Sequence, residues 1–204
     1  MASQFGISPG PLAGTLGIGF SAIFVGANLA ITYITVPVLL LPSRSSPLPP
    51  PANAANEESP TSTHSKKPAS KPSHLAQQWA AMYSLGSKGG PVAAMLASGC
   101  YIYTARTLVY AASVQRRLLY TAAALSVAIV PFTFGVMKRT NDELHRRAHA
   151  ADQGEHADAK VDAKKDSVES YATPELMRWW SMLNILRATL HVGAIGCAMR
   201  AMNL

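Results

Sequence analysis

Charge is scarce in this sequence. Asp, Glu, Lys and Arg make up 14% of its 204 residues, and none occurs between Met1 and Ser43. A soluble domain carries roughly a quarter of its residues charged, so the chain is short of ordinary water-facing surface. Cysteine is nearly as rare. Cys100 and Cys197 both sit inside apolar segments with no CxxC and no Cys/His partner at metal spacing, which leaves them as small packing residues. There is no HExxH, no acidic cluster, no P-loop and no GxGxxG opening a βαβ unit. Zinc-hydrolase, nucleotide and nicotinamide chemistries therefore have no signature here, and flavin and haem have none either. A formal charge of +7 and a pI near 9.6 would suit a nucleic-acid binder. The bases, however, lie between the apolar runs, mixed with acids after Asn141 and not interleaved with aromatics, so nucleic acid is not an expected partner.

What the chain does have is apolar length. About 20 apolar residues span a bilayer, and the uncharged stretch from Leu12 to Leu41 exceeds that. It lacks the basic start and short apolar run of a secretory signal. Further runs cover residues 91–112, 118–137 and 176–202. The expectation is an all-α protein, a single membrane domain over 1–204 with helices at about 12–41, 91–112, 118–137 and 176–202. Gly14, Gly17 and Gly19 would let the first helix approach its neighbours closely. A Pro/Ser-rich stretch, 42–72, cannot bury enough apolar surface to order and reads as a flexible loop. His74–Ser84 turns helical, with Trp79 and Tyr83 on one face, and reads as a short amphipathic helix at the membrane surface. Ser113–Arg117 reads as a very short loop, and Lys138–Thr173 as polar, a solvated helix giving way to a loop at 148–173. Lys138, Arg139, Arg146 and Arg147 favour long loops in the cytosol of an endoplasmic-reticulum or other endomembrane protein, although Arg116 and Arg117 argue the other way.

Polar residues inside apolar helices are costly and mark cavities or partners. Trp180, Asn184, Arg187 and His191 are spaced by four, three and four, which puts them on one face of the last helix. Tyr103, Arg106 and Tyr110 repeat the pattern more weakly, and Asn28, Thr32 and Thr35 form a third stripe that equally suits interhelical glue. Arg106 is also placed to snorkel toward the helix end. Every Asp and Glu lies outside the apolar segments, so a buried arginine wants an anion, a water or carbonyl groups. His145 and His149 are four apart, but Arg146 and Arg147 between them disfavour a cation, and no metal is expected.

Several strings occur in a recognisable order: Trp79-x-x-x-Tyr83-x-x-Gly86, Pro91, Tyr101 and Tyr103, Leu119-Tyr120, then Pro131-Phe132-Thr133 with Met137, Thr140, Asn141 and Leu144, and last Trp180-x-x-x-Asn184-x-x-Arg187. This order resembles the anthrone oxygenases of aromatic polyketide pathways, which belong to a superfamily of small four-helix membrane proteins. The Pro-rich first loop is similar to that of the fungal pathway enzymes. The resemblance implies oxidation of an anthrone, such as emodin anthrone, to the anthraquinone with molecular oxygen and no recognised cofactor. Such chemistry needs an apolar slot, a base, and a cation or donor for the developing oxyanion. Arg187 suits the last role, assisted by Asn184 or Asn141, with His191 as base and His145 as runner-up. Trp180, Tyr83, Tyr101 and Tyr103 are candidates to sandwich the rings, with Trp79 and Arg106 as further substrate contacts. The expected partners are the anthrone, oxygen and lipid, and a homo-oligomer is compatible with them. The competing reading is a non-catalytic membrane scaffold for a biosynthetic pathway, with the first loop as its docking tail; a small transporter lacks visible inverted repeats and midplane acids.

Overall fold

The computed structural model describes residues 9–41, 72–108, 113–153 and 168–203, and every regular element among them is helical. The expected loop at 42–72 lies outside the described residues except for Pro72, and so does 154–167 of the second loop. Four helical rods carry the fold. The first, α1, runs Pro9–Leu39, with π-helical geometry at Ile31–Thr35. The second, α2, is one unbroken helix, Pro72–Thr107, that holds Pro91 in its interior. The third, α3, runs Ser113–Asp152, interrupted at Ala128 and π-helical at Thr133–Met137. A 3₁₀ turn at Val168–Ser170 leads into α4, Thr173–Met202. Pro174 in the first turn of α4 lacks only an N–H that would be orphaned anyway, and Glu175 Oε2 accepts the Ala172 N–H at 3.3 Å.

Among the described residues three of these rods, α1, α3 and α4, are long and apolar enough to cross a membrane. Their outward faces agree, since Leu16, Ile34, Val136, Leu186 and Val192 are exposed, a surface that suits lipid and not water. A helix of 40 residues is about 60 Å long, twice a hydrocarbon core. The apolar part of α3 ends at Met137, and its charged remainder, Lys138–Asp152, projects beyond that slab.

Three expectations need correcting. The amphipathic segment His74–Ser84 is not a separate helix; it is the first third of α2, because the helix continues through Gly86, Gly89, Gly90 and Pro91 into the apolar part. Its Trp79 is completely buried between helices. The supposed loop Ser113–Arg117 is the first turn of α3, so the short connection falls at 109–112, outside the described residues. The polar stretch after Met137 is helical to Asp152, and it is solvated on one side only: Thr140, Asn141, Glu143, Leu144, Arg147 and Ala148 are buried.

Two different packing regimes hold the rods. At the end where α1 begins and α4 finishes, the contacts are small. Ala97, Ala105, Ala122, Ala123, Ala194, Ala198 and Ala201 surround Tyr101 and Leu119. A Cβ on Gly17 would lie 2.7 Å from the Tyr101 ring, one on Gly14 2.8 Å from Met202 Sδ and one on Gly10 2.8 Å from Thr107 Oγ1. Gly10, Gly14 and Gly17 face Thr107, Thr104 and Tyr101 of α2 in that order, which makes the two helices antiparallel neighbours; without side chains their backbones approach closely, as in lipid-embedded pairs. At the opposite end the contacts are large: Trp79, Met137, Leu144, Leu176, Met177, Trp180 and Leu183. Bulky residues there keep the rods further apart.

That wide end is also clasped by charge. Glu143 accepts Arg146 at 2.7 and 2.8 Å and Arg147 Nε at 2.6 Å. Arg147 donates onward to Thr173 Oγ1 at 3.0 Å and to the Glu169 carbonyl at 3.2 Å, tying the far end of α3 to the start of α4. Burial by itself would raise the Glu143 pKa; its bonds to Arg146 and Arg147 outweigh that and hold it below the ordinary carboxylate value.

Candidate functional site

Between the two regimes the rods enclose a cavity of about 480 Å³, within the roughly 300–1,000 Å³ range of small-molecule sites. Two of the rods, α1 and α3, carry π turns beside this space, and α2 carries a proline there. In α2, Gly86, Ser87, Gly89, Gly90 and Pro91 line it; Pro91 leaves the Ser87 carbonyl without its i+4 donor. In α3, Ile129, Val130, Thr133 and Phe134 line it, spanning Pro131 and the onset of the π turn, where the Thr133 hydroxyl donates to the Ile129 carbonyl at 2.7 Å. In α1, Phe24, Asn28 and Ile31 line it just before the other π turn, and Asn28 Nδ2 donates to the Phe24 carbonyl at 2.8 Å. Prolines and π turns free backbone groups and widen the gap between helices, and π turns recur at functional sites.

The fourth wall comes from α4, where Trp180, Asn184 and Arg187 line the cavity together. Helical spacing puts them on one face, and neighbours fix each one. The Trp180 indole N–H donates to Asn141 Oδ1 at 2.9 Å, and Asn141 Nδ2 in turn donates to the Tyr83 hydroxyl at 3.4 Å. Asn184 Nδ2 donates to the Trp180 carbonyl at 3.0 Å, which leaves its Oδ1 to accept Arg187 Nη1 at 3.3 Å. The guanidinium also lies 3.9 Å from Met137 Sδ and stands over the Phe24 ring, 5.4 Å from its centroid. Its Nε is buried with no hydrogen-bond partner among the described residues, and none of their ion pairs involves it. A cation that meets an amide oxygen, a thioether and a ring face, and forms no ion pair among the described residues, is poised for an anionic guest.

The other candidates fall into three places. Tyr83 lines the cavity and belongs to an aromatic cluster: it stacks on Trp79 at 4.9 Å and meets His145 edge-on at 5.0 Å, while Trp79 meets Trp180 edge-on at 5.7 Å. Asn141, Trp79 and His145 stand behind the wall rather than in it. Burial, and then neighbouring His149, hold the His145 pKa below its ordinary 6.5, so its imidazole is neutral at pH 7. His191 is fully buried one turn beyond Arg187, its ring stacked on Phe24 at 4.2 Å, and Phe24 rather than His191 lines the cavity. Tyr101, Tyr103 and Arg106 are away from the site. Tyr101 is buried at the narrow end, its hydroxyl 3.0 Å from Ser21 Oγ, and Tyr103 and Arg106 are exposed in the last turns of α2. At about 100° per residue Tyr103 and Arg106 share one exposed face and Tyr101 points to the opposite side, and Tyr110 lies outside the described residues. Sequence reasoning missed Phe24, Met137 and the bare Gly-rich wall of α2; the Gly89-Gly90-Pro91 string inside an otherwise helical stretch was the available signal. Among the described residues no group of three or more His, Cys, Asp or Glu is assembled.

Helices built to cross a bilayer, around a cavity of small-molecule size with one aromatic and one cationic wall, define the class: a helical membrane protein with an internal pocket. Comparison with known proteins places it more closely. The chain belongs to the anthrone oxygenase family, whose pattern it matches over residues 79–197. It is 30% identical over 124 residues to an anthrone oxygenase, ptaC, of Pestalotiopsis fici, an overlap covering 57% of this chain and 77% of the relative. No solved structure matches it. The matched region takes in the α2, α3 and α4 walls of the cavity and omits α1.

Proposed function

We propose that this protein oxidises an anthrone at C10 to the anthraquinone with molecular oxygen, within the membrane and without a cofactor of its own. The observation that carries the reading is Arg187, set beside Asn184 in a cavity whose remaining wall is largely apolar and aromatic. An anthrone's C10 methylene lies between two aryl rings, and losing a proton there gives an aromatic anion with charge on the C9 oxygen. A fixed cation and amide beside that oxygen stabilise the anion where it forms. The anion passes one electron to oxygen, giving superoxide and a carbon radical; these join at C10 and take up a proton to give a hydroperoxide. Loss of water, with cleavage of the O–O bond and the second C10–H bond, leaves the quinone carbonyl. Anthrone and oxygen thus become anthraquinone and water, and the substrate itself supplies the electrons.

Arg187 holds the oxyanion in this scheme, and Asn184 aims the guanidinium. Trp180 and Tyr83 flank the rings. The base in this reading is His145, a neutral imidazole at the edge of the same aromatic cluster, which meets the ring of the cavity-lining Tyr83. His191, sequestered behind Phe24, is not the base in this reading. We read α2 as a fourth span through Pro91–Thr107: this part runs antiparallel against α1 from Gly10 to Phe24, so a bilayer that contains one contains the other. The Lys and Arg residues after Met137 suit a cytosolic face for the loops and an endomembrane location.

The test is turnover of an anthrone under air by purified protein, read against autoxidation. Arg187→Ala is expected to lower the enzymatic rate by about 10²–10³, the usual cost of losing an oxyanion donor, while its helical circular dichroism stays native. A folded Arg187→Ala protein with undiminished turnover overturns the assignment.

A further inference from the structure

We propose that the cavity is loaded sideways from the bilayer, through a gap rimmed by Ile23 of α1, Leu85 of α2 and Phe134 of α3, and that the enzyme therefore selects flat, uncharged substrates dissolved in lipid. The inference rests on the reading of the cavity as the substrate site.

Three residues counted in the cavity wall are also among the most exposed apolar side chains of the molecule: Leu85 at 83%, Phe134 at 70% and Ile23 at 66%. A residue that both lines the cavity and is this exposed marks its mouth, and the mouth is apolar on three helices. The floor behind it is bare. Gly86, Gly89, Gly90 and Ala93 follow one another by three, one and three positions and all line the cavity, so one face of α2 offers backbone without bulky side chains. A Cβ on Gly86 or Gly89 would meet nothing within 4 Å, while one on Gly90 would reach Phe24 at 3.3 Å and Arg187 Nη2 at 3.5 Å. The trough thus runs from open space at Gly86 and Gly89 to the cation at Gly90. A planar ring system has room to slide along it, keto oxygen leading.

The depth of the mouth fits lipid entry. Phe134 precedes Lys138 by four positions, about 6 Å along a helix, and Lys138 begins the charged stretch of α3 that projects from the membrane. Phe134 thus opens the cavity at the edge of the hydrocarbon, and Leu85, six positions before the Pro91 that begins the α2 span, sits at the headgroup boundary, where a polycyclic phenol concentrates. A carboxylated or glycosylated relative of the substrate, kept in water, would not reach the mouth at that depth.

The experiment uses the full chain in liposomes with an anthrone under air. Gly86→Phe plugs the mouth in open space and favours helix over glycine; Leu85→Trp narrows it from an exposed position. Each is expected to lower kcat/KM about tenfold or more with kcat within about twofold, the pattern of impeded entry. Gly196→Phe, also in open space but away from the cavity, is expected to behave as wild type. Changing the lipid-to-water ratio is expected to leave KM constant as a mole fraction in lipid. Unchanged kcat/KM in both mouth variants, or a KM constant in aqueous concentration, overturns the portal. If Arg187→Ala abolishes turnover in that case, the cavity stands as the site and entry lies elsewhere; if Arg187→Ala is also silent, portal and site fall together.

Discussion

Trp180 and Asn141, 39 positions apart in the chain, are joined by a 2.9 Å bond from the indole N–H to the amide oxygen, and that bond couples the cavity wall on α4 to the projecting part of α3. Asn141 spends its amide N–H on Tyr83, so one buried side chain sets the positions of two aromatic residues that line the cavity. Removing it leaves the indole N–H unsatisfied in a buried place. Asn141→Leu is expected to destabilise the protein by about 1–3 kcal/mol, read as a lowered melting temperature in detergent. Turnover should fall more than stability explains, because Trp180 and Tyr83 lose their common anchor. Asn141→Asp, which keeps the acceptor, is expected to retain more of both.

The two histidines separate by experiment. His191 is fully buried behind Phe24, with the backbone of Ser126 beside its ring. His191→Phe keeps a flat ring against Phe24, and turnover is expected to stay within about threefold, because Phe24 stands between this side chain and the cavity. His145→Gln is expected to lower kcat by about 10²-fold, in the range of lost general-base catalysis. The reverse outcome, a dead His191→Phe and an active His145→Gln, restores His191 as the base.

Packing at the narrow end leaves no room at Gly17, where an added Cβ would sit 2.7 Å from the Tyr101 ring. Tyr101 is itself held by Ser21 and cannot easily turn away. Gly17→Ala is expected to cost about 1–3 kcal/mol from overpacking. Gly19→Ala, two residues on and facing open space, is expected to be neutral or mildly stabilising. Equal melting temperatures for the two variants would contradict the close approach of α1 to α2.

Acid should loosen the clasp between α3 and α4. The Glu143 pKa is lower in the folded protein than its ordinary 4.5, so the ionised form is the one folding favours. Its contribution is fully present above the ordinary value and is lost as pH falls through the folded value. Arg146 stays charged throughout this range, its bond to Glu143 raising its pKa further. Melting temperature is expected to decline as pH drops below about 4.5, and Glu143→Gln, less stable at neutral pH, should show a shallower decline. Parallel curves for the two proteins would assign the acid sensitivity elsewhere.

Much of this architecture was written in local pattern. Uncharged runs of bilayer length identify membrane helices because desolvating charge costs more than any short-range preference recovers, and that holds whatever the helices pack against. The i, i+4, i+7 spacing that gathers Trp180, Asn184 and Arg187 is a property of one helix and needs no partner. The boundaries were less legible where pattern alone had to choose: the second apolar run reads as a helix starting at Pro91, yet α2 begins at Pro72 and passes through Pro91, because packing against neighbouring helices outweighs the cost of an interior proline.

Tertiary structure decided the rest. His191 shares the stripe of Arg187, but whether a stripe residue meets a cavity or a ring depends on what α1 places opposite, and α1 places Phe24 there. Tyr101 looked like an aromatic wall and became a strut, because glycines of α1 come close enough to enclose it. His145 and Asn141 lie on the charged side of α3, where sequence sees a solvated helix; only the packing of α2 against it turns one face inward. Periodicity belongs to a single helix and survives in the sequence, whereas a cavity belongs to the spacing between four helices and exists only once they have packed.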